Sequence, residues 1–278
     1  MEKTRVAIVN SKLDIAKNVI SDPLMLEMFT PVAYEQIDQQ LVADYQNGRF
    51  GALTVIPPTE GKDATFGIEE LLNEKDKGIT MLLTENLRMV LSPYQRSSLT
   101  SEQVKTLAEQ THLSLKRDFR ISNPRIAILA NTSKEDTIVA PVIKQLTDIS
   151  IQAYGPYAAG DFFSAARHLE FDAVIATDNE QGETHFKNIA VDDSVKYIAG
   201  MSLVVTAPML TEGTQTLETF ENDSNKVRHA IYNAIDITHH RTEYDTPLAN
   251  PLKKLYKDRK DDSEKARFNV PKNREEKL

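Results

Sequence analysis

The sequence predicts a layered α/β protein. Short apolar runs of strand length alternate along the chain with amphipathic stretches of helical period, the pattern of a sheet covered by helices. The chain has 278 residues, 40% hydrophobic and 27% charged, enough for two α/β lobes or one large domain. No segment approaches about 20 consecutive apolar residues, so no membrane-spanning helix is expected.

The runs at 6–9, 53–56, 81–84, 89–91, 126–130, 173–176 and 202–205 read as strands, mostly buried. The plainest helix is 101–119, where Val104, Leu107, Ala108, Thr111, Leu115 and Phe119 share one face. Thr100 or Ser101 can cap its start, and Pro124 follows its end. Further helices are expected at 37–47, 138–148, 161–169 and 226–240. Tyr154-Gly-Pro-Tyr157 reads as a turn. Beyond Asn250 the chain becomes dense in charge, and this tail is expected to pack for one turn and then fray.

Composition excludes several function classes. Zero cysteines rule out disulfides, thiolate metal sites and cysteine nucleophiles. The opening residues contain no apolar core of signal-peptide length, so a cytoplasmic protein is expected. A net charge of −8 gives no electrostatic footprint for nucleic acid, and the acidity reads as solubility. The chain lacks Gly-x-Gly-x-x-Gly, the phosphate-cradling Gly-x-x-x-x-Gly-Lys-Ser/Thr and Gly-x-Ser-x-Gly.

The segment richest in chemistry runs from Phe171 to Lys187. The apolar run 173–176 opens into Asp178-Asn-Glu-Gln-Gly-Glu-Thr-His-Phe-Lys187, read as a polar loop. In α/β sheets, ligands bind beyond the carboxyl ends of strands. Lys187, Glu180, Gln181 and Gly182 are therefore the ligand-binding candidates, with Lys187 as anchor for an anionic small molecule. Of the six histidines, His185 shares this loop with Asp178, Glu180 and Glu183. His112 and His168 fall in expected helices as ordinary packed or exposed side chains, and His239-His240 near a helix end, where the dipole favours a cation.

Beside this segment stand Asn123-Pro-Arg-Ile-Ala-Ile-Leu129, Tyr154-Gly-Pro-Tyr-Ala-Ala-Gly-Asp-Phe-Phe163, Phe186-Lys187, Ala199-Gly200 and Ala230-Ile-Tyr-Asn-Ala-Ile-Asp236. Their order and spacing, from about residue 80 to 256, resemble the 4-hydroxythreonine-4-phosphate dehydrogenase family of vitamin B6 biosynthesis. Arg5-Val-Ala-Ile8 and Ser21-Asp-Pro-Leu-Met-Leu26 match more loosely and resemble members from Bacteroidetes. Between Ala33 and Asp44 the family would carry a longer segment, so part of the first lobe reads as deleted.

The resemblance implies a two-lobed α/β/α fold of the isocitrate/isopropylmalate dehydrogenase-like architecture. Residues 1–92 with 206–256 would form the first, truncated lobe, 93–205 the second, and 257–278 a charged tail. It also implies NAD-dependent oxidation and decarboxylation of 4-phosphohydroxy-L-threonine, with a divalent metal held by three histidines in a cleft at a dimer interface. Such a metal polarises the hydroxyl and then the ketone. The implied partners are a second copy or an intact paralogue.

The departures fall on that chemistry. Gln95 or a neighbour stands at the first metal position, the loop Asn131-Thr-Ser-Lys-Glu-Asp136 at the second without a histidine, and Asn179 at the third. Neutral amides replace imidazoles poorly as metal ligands. A glycine-rich stretch for the cofactor becomes Asn10-Ser-Lys-Leu-Asp-Ile-Ala16, a Gly-His-Thr-Glu motif becomes Gly67-Ile-Glu-Glu70, and an Arg-Thr-Ser-x-x-His-Gly-Thr stretch becomes Val205-Thr-Ala-Pro-Met-Leu-Thr-Glu212. The first expectation is a degenerate member, with the fold kept, the NAD- and metal-dependent reaction lost, and a scaffold or regulatory role. The alternative is a binder or enzyme for a different anionic small molecule, held by Lys187 without the metal.

Overall fold

A computed structural model describes residues 3–10, 13–57, 67–74, 77–94, 99–130, 132–190, 193–211 and 216–249. Gln95 and the charged tail lie outside the described residues. The strands are β1 Thr4–Val9, β2 Phe29–Tyr34, β3 Ala52–Val55, β4 Ile79–Leu83, β5 Arg88–Leu91, β6 Arg125–Leu129, β7 Gln152–Tyr157, β8 Ala173–Ala176, β9 Val195–Ala199 and β10 Val204–Pro208. The helices are α1 Asp14–Ile20, α2 Pro23–Met28, α3 Gln39–Gln46, α4 Ile68–Leu71, α5 Ser101–Asp118, α6 Ser133–Asp148, α7 Ala159–Ser164, α8 Asn179–Ile189 and α9 Leu217–Ala249, with a 3-10 turn at Arg167–Glu170.

All these strands share one sheet, in the order β2-β1-β3-β10-β9-β4-β5-β8-β6-β7. The set β2-β1-β3-β10 is parallel, as is β5-β8-β6-β7, and the pairings through β9 and β4 are antiparallel. The two parallel sets therefore point in opposite directions. The carboxyl ends of β5, β6 and β8 lie on one rim of the sheet, and those of β1, β3 and β10 on the other.

Strand side chains alternate between faces, and here the faces carry separate cores. Val6, Ile8, Met81 and Ile175 pack with α1, α5, α6 and α9 on one face. On the other, Ala7 and Val9 pack with α3 and α4, while Leu82, Met89 and Val174 pack with α7 and α8. The result is the expected α/β/α layering. A buried cluster fixes α9 to it: Arg241 Nε donates to Asp118 Oδ1 at 2.7 Å, and Tyr197 Oη donates to Asp118 Oδ2 at 2.6 Å. Arg241 Nη1 adds a 3.0 Å bond to the Met201 carbonyl.

Four expectations need correction. The stretch 178–187 is not a loop: Asp178 caps α8, accepting from the amides of Glu180 and Gln181. Tyr154-Gly-Pro-Tyr157 lies within β7, at a register shift against β6. Only glycine fits at 155, where φ is +132° and a Cβ would sit 2.5 Å from the Ile128 carbonyl oxygen. The expected helix 161–169 divides into α7 and the 3-10 turn. His239 and His240 are not at a helix end, because α9 continues to Ala249; they bond Thr4 Oγ1 and the Asp118 carbonyl instead.

Candidate functional site

Three strand ends on one rim flank an open cavity of about 860 Å³. Ser92, Pro93 and Tyr94 follow β5, Thr132 and Glu135 lie at the start of α6 beyond β6, and Thr177 to Glu180 follow β8. The resemblance implies metal positions in or next to these segments; Gln95 and Asn131 themselves lie outside the described residues.

Asn179 begins α8, and its Nδ2 donates to the Ser92 carbonyl at 2.7 Å, tying the helix start to the end of β5. Thr132 and Glu135 form a capping box: Thr132 Oγ1 accepts from the Glu135 amide, and Glu135 Oε2 accepts from the Thr132 amide. Thr177 Oγ1 donates to the Leu129 carbonyl at 2.9 Å, joining β8 to β6. The polar groups of this rim thus satisfy backbone at helix starts and strand ends.

A divalent ion held by imidazoles does not fit this donor set. Asn179 presents its N–H₂ to a carbonyl, and an amide nitrogen is no ligand for a hard or borderline cation. Among the described residues, no group of three or more His, Asp or Glu side chains could hold a metal. His185 stacks on Phe163, with ring centroids 4.7 Å apart, and His168 packs on the same ring.

The ligand-binding candidates along 180–187 are placed in different settings. Glu180 lines the 860 Å³ cavity. Gln181 is half-buried, with its amide on the Asp178 cap. Gly182 packs against the sheet: a Cβ there would lie 2.6 Å from Ala176 Cβ and 3.2 Å from Leu91 Cδ2. Lys187, in the last turn of α8, lies about 12 Å along the axis from Asn179, at about 1.5 Å per residue. It lines a different cavity of about 300 Å³ with Ser194, Met209, Thr211 and Lys226. Lys226 is buried and paired with Asp223 at 3.3 Å, and both bond Thr211. The capping box and the Asp223–Lys226 pair were not singled out in the sequence, although the Thr-x-x-Glu spacing of the first is a legible signal.

The other altered motifs are absorbed into structure. Asn10 adopts φ 59° at the end of β1, and its Nδ2 donates to the Ile56 carbonyl at 2.6 Å. Ile68 is wholly buried in the core. Burial raises the pKa of Glu69 above the usual carboxylate value, opposed by Lys196. Thr206 Oγ1 donates to the Ala230 carbonyl at 3.0 Å, anchoring β10 to α9.

The family model described as pyridoxal phosphate biosynthetic protein PdxA matches residues 32–234. The chain belongs to the PdxA family. A 4-hydroxythreonine-4-phosphate dehydrogenase of Bacteroides thetaiotaomicron is 31% identical over 257 residues, covering 84% of this chain and 71% of that protein. Among solved structures, a 4-hydroxythreonine-4-phosphate dehydrogenase from Klebsiella pneumoniae aligns with a TM-score of 0.60 at 14% identity, over 84% of this chain and all (100%) of that one. A beta-decarboxylating dehydrogenase from Thermococcus kodakarensis aligns at 0.50 and 10% identity, over 89% of each chain. At such identities the structural likeness shows the PdxA-type fold alone.

Proposed function

We propose that this PdxA-family chain keeps the fold without the family's metal-dependent dehydrogenase chemistry, and acts as a regulatory or scaffold protein in the cytoplasm. The carrying observation is Asn179. Where an imidazole would be needed, its amide donates to the Ser92 carbonyl, and the neighbouring polar side chains cap α6 and α8. The turn after β1, where the resemblance implies a glycine-rich approach to NAD, supports the same reading, because Asn10 there closes onto the Ile56 carbonyl. The purified protein, given NAD, 4-phosphohydroxy-L-threonine and a divalent metal, is expected to produce no NADH above background. NADH formation abolished by Lys187→Ala would overturn the proposal. The proposed assembly is a homodimer or a heterodimer with an intact paralogue; light scattering on the isolated chain and on the mixture distinguishes the two, and a monomer in both would refute this part.

A second reading follows from Lys187. It is exposed beside a 300 Å³ cavity in which the other lysine is already paired with Asp223, so Lys187 supplies the cation for an anionic small molecule. A thermal-shift screen of phosphorylated metabolites tests it. A concentration-dependent shift lost in Lys187→Ala supports the reading, and no shift, or one that survives the substitution, counts against it.

A further inference from the structure

A third cavity, of about 610 Å³, is lined by Thr84, Glu85, Arg88, Asp193, Asn225 and His229 among others. It shares no lining residue with the two cavities above. The β4–β5 turn, the segment before β9 and the first half of α9 build it, on the rim opposite Asn179.

Arg88 is its strongest feature. The guanidinium lies over the Phe119 ring, 4.7 Å from the centroid. Among the described residues its single hydrogen bond is a long one, Nη1 to the Asp172 carbonyl at 3.4 Å. A guanidinium carries five N–H donors in a planar fork that matches a carboxylate; most of them make no hydrogen bond among the described residues, although the nearby Asp172 carboxylate offsets part of the charge. Asn225 accepts from Arg228 through Oδ1, leaving its N–H₂ as a second donor. The His229 ring makes no hydrogen bond among the described residues and stands edge-on to Tyr232.

The same chamber also holds two carboxylates. Glu85 is exposed, and Asp193 accepts the Glu85 amide through Oδ2 at 2.6 Å while Oδ1 is without a partner among the described residues. A simple anion drawn to Arg88 meets these two charges, and a simple cation drawn to them meets Arg88. A ligand carrying both signs satisfies each end.

We propose that this cavity binds a small zwitterion of the amino-acid class, its carboxylate on Arg88 and Asn225 and its ammonium toward Glu85 and Asp193. The test is calorimetric titration of the full chain with each proteinogenic amino acid, and with acetate, methylammonium and inorganic phosphate as single-charge probes. At least one amino acid is expected to bind saturably, with a Kd of about 1 mM or tighter, and the single-charge probes are expected not to bind. Arg88→Gln removes the anchor. Because Arg88 also packs on Phe119, the exposed Glu85→Gln is the companion variant, expected to weaken binding about tenfold with an unchanged Tm. Saturable binding by no amino acid, equal binding by acetate or phosphate, or undiminished binding in both variants would each overturn the proposal.

Discussion

Asn179→Ala separates a structural tie from a vestigial ligand. The Asn179 amide donates to the Ser92 carbonyl at 2.7 Å; Asn179 is exposed and both residues line the cavity, so water can reach the carbonyl once the amide is gone. Exchanging such a bond for one to water costs about 0.5–1.5 kcal/mol. For a chain of this size, that is a fall in Tm of roughly 1–6 °C. The Asp178 cap remains, so α8 itself should persist and the loss should appear as loosened docking onto β5. Asn179→Asp should lose at least as much, because it turns an acceptor toward an acceptor. Asn179→His places one imidazole where no group of metal-ligating side chains is present among the described residues, and zinc should not raise its Tm. Urea denaturation and thermal melts with and without zinc measure all three. A loss in Asn179→Ala below about 0.5 kcal/mol, the range of neutral surface changes, would refute the tie. So would zinc-dependent stabilisation of Asn179→His.

Other perturbations probe the frame around the site. Arg241→Ala leaves Asp118, 1% exposed, without its cation and should cost about 3–5 kcal/mol in urea denaturation; a loss under about 1 kcal/mol would remove the cluster from the account of how α9 is held. Gly182→Ala drives a methyl to 2.6 Å from Ala176 Cβ and should cost about 1–3 kcal/mol, whereas a stabilised variant would show that α8 shifts freely. Burial holds His112 and His168 below the usual histidine pKa, with Lys116 adding to the effect at His112. The unfolded chain therefore takes up these protons first, and stability should fall as pH drops below about 6.5. A His112→Leu/His168→Phe double variant should flatten that profile in denaturation midpoints measured across it, and an unchanged slope would assign the dependence to other groups.

Legibility followed local pattern. The helix at 101–119 was plain because six residues mark one face at the helical period, and the structure places it at Ser101–Asp118. The run 173–176 coincides with β8. By contrast, α8 was hidden because its buried face is one glycine and one phenylalanine, Gly182 and Phe186. A glycine chosen for close approach to Ala176 looks, in sequence, like a helix breaker. The start of α6 was missed because 133–137 is polar, and the first turns of α9 because 218–225 is rich in Asn, Asp and Ser. Pro31 masked β2, which tolerates it as an edge strand. The Asp118–Tyr197–Arg241 cluster joins residues 79 and 123 positions apart, and no local signal announces it.

The placement of α8 also bears on what the family resemblance can mean. Gly182 is explained by helix–sheet packing, since any side chain there collides with Ala176 and Leu91. Lys187 serves a cavity about 12 Å along the helix from Asn179, facing Thr211 and Lys226. Gly182 and Lys187 therefore answer to packing and to a separate pocket. Under the proposed reading, metal chemistry would depend on Asn179 and the loop after β6, where the sequence offers no imidazole. A match carried by packing positions establishes the fold and leaves activity to be decided at the site. At this site the side chains hold backbone together, so the fold would persist under the proposed loss of the reaction.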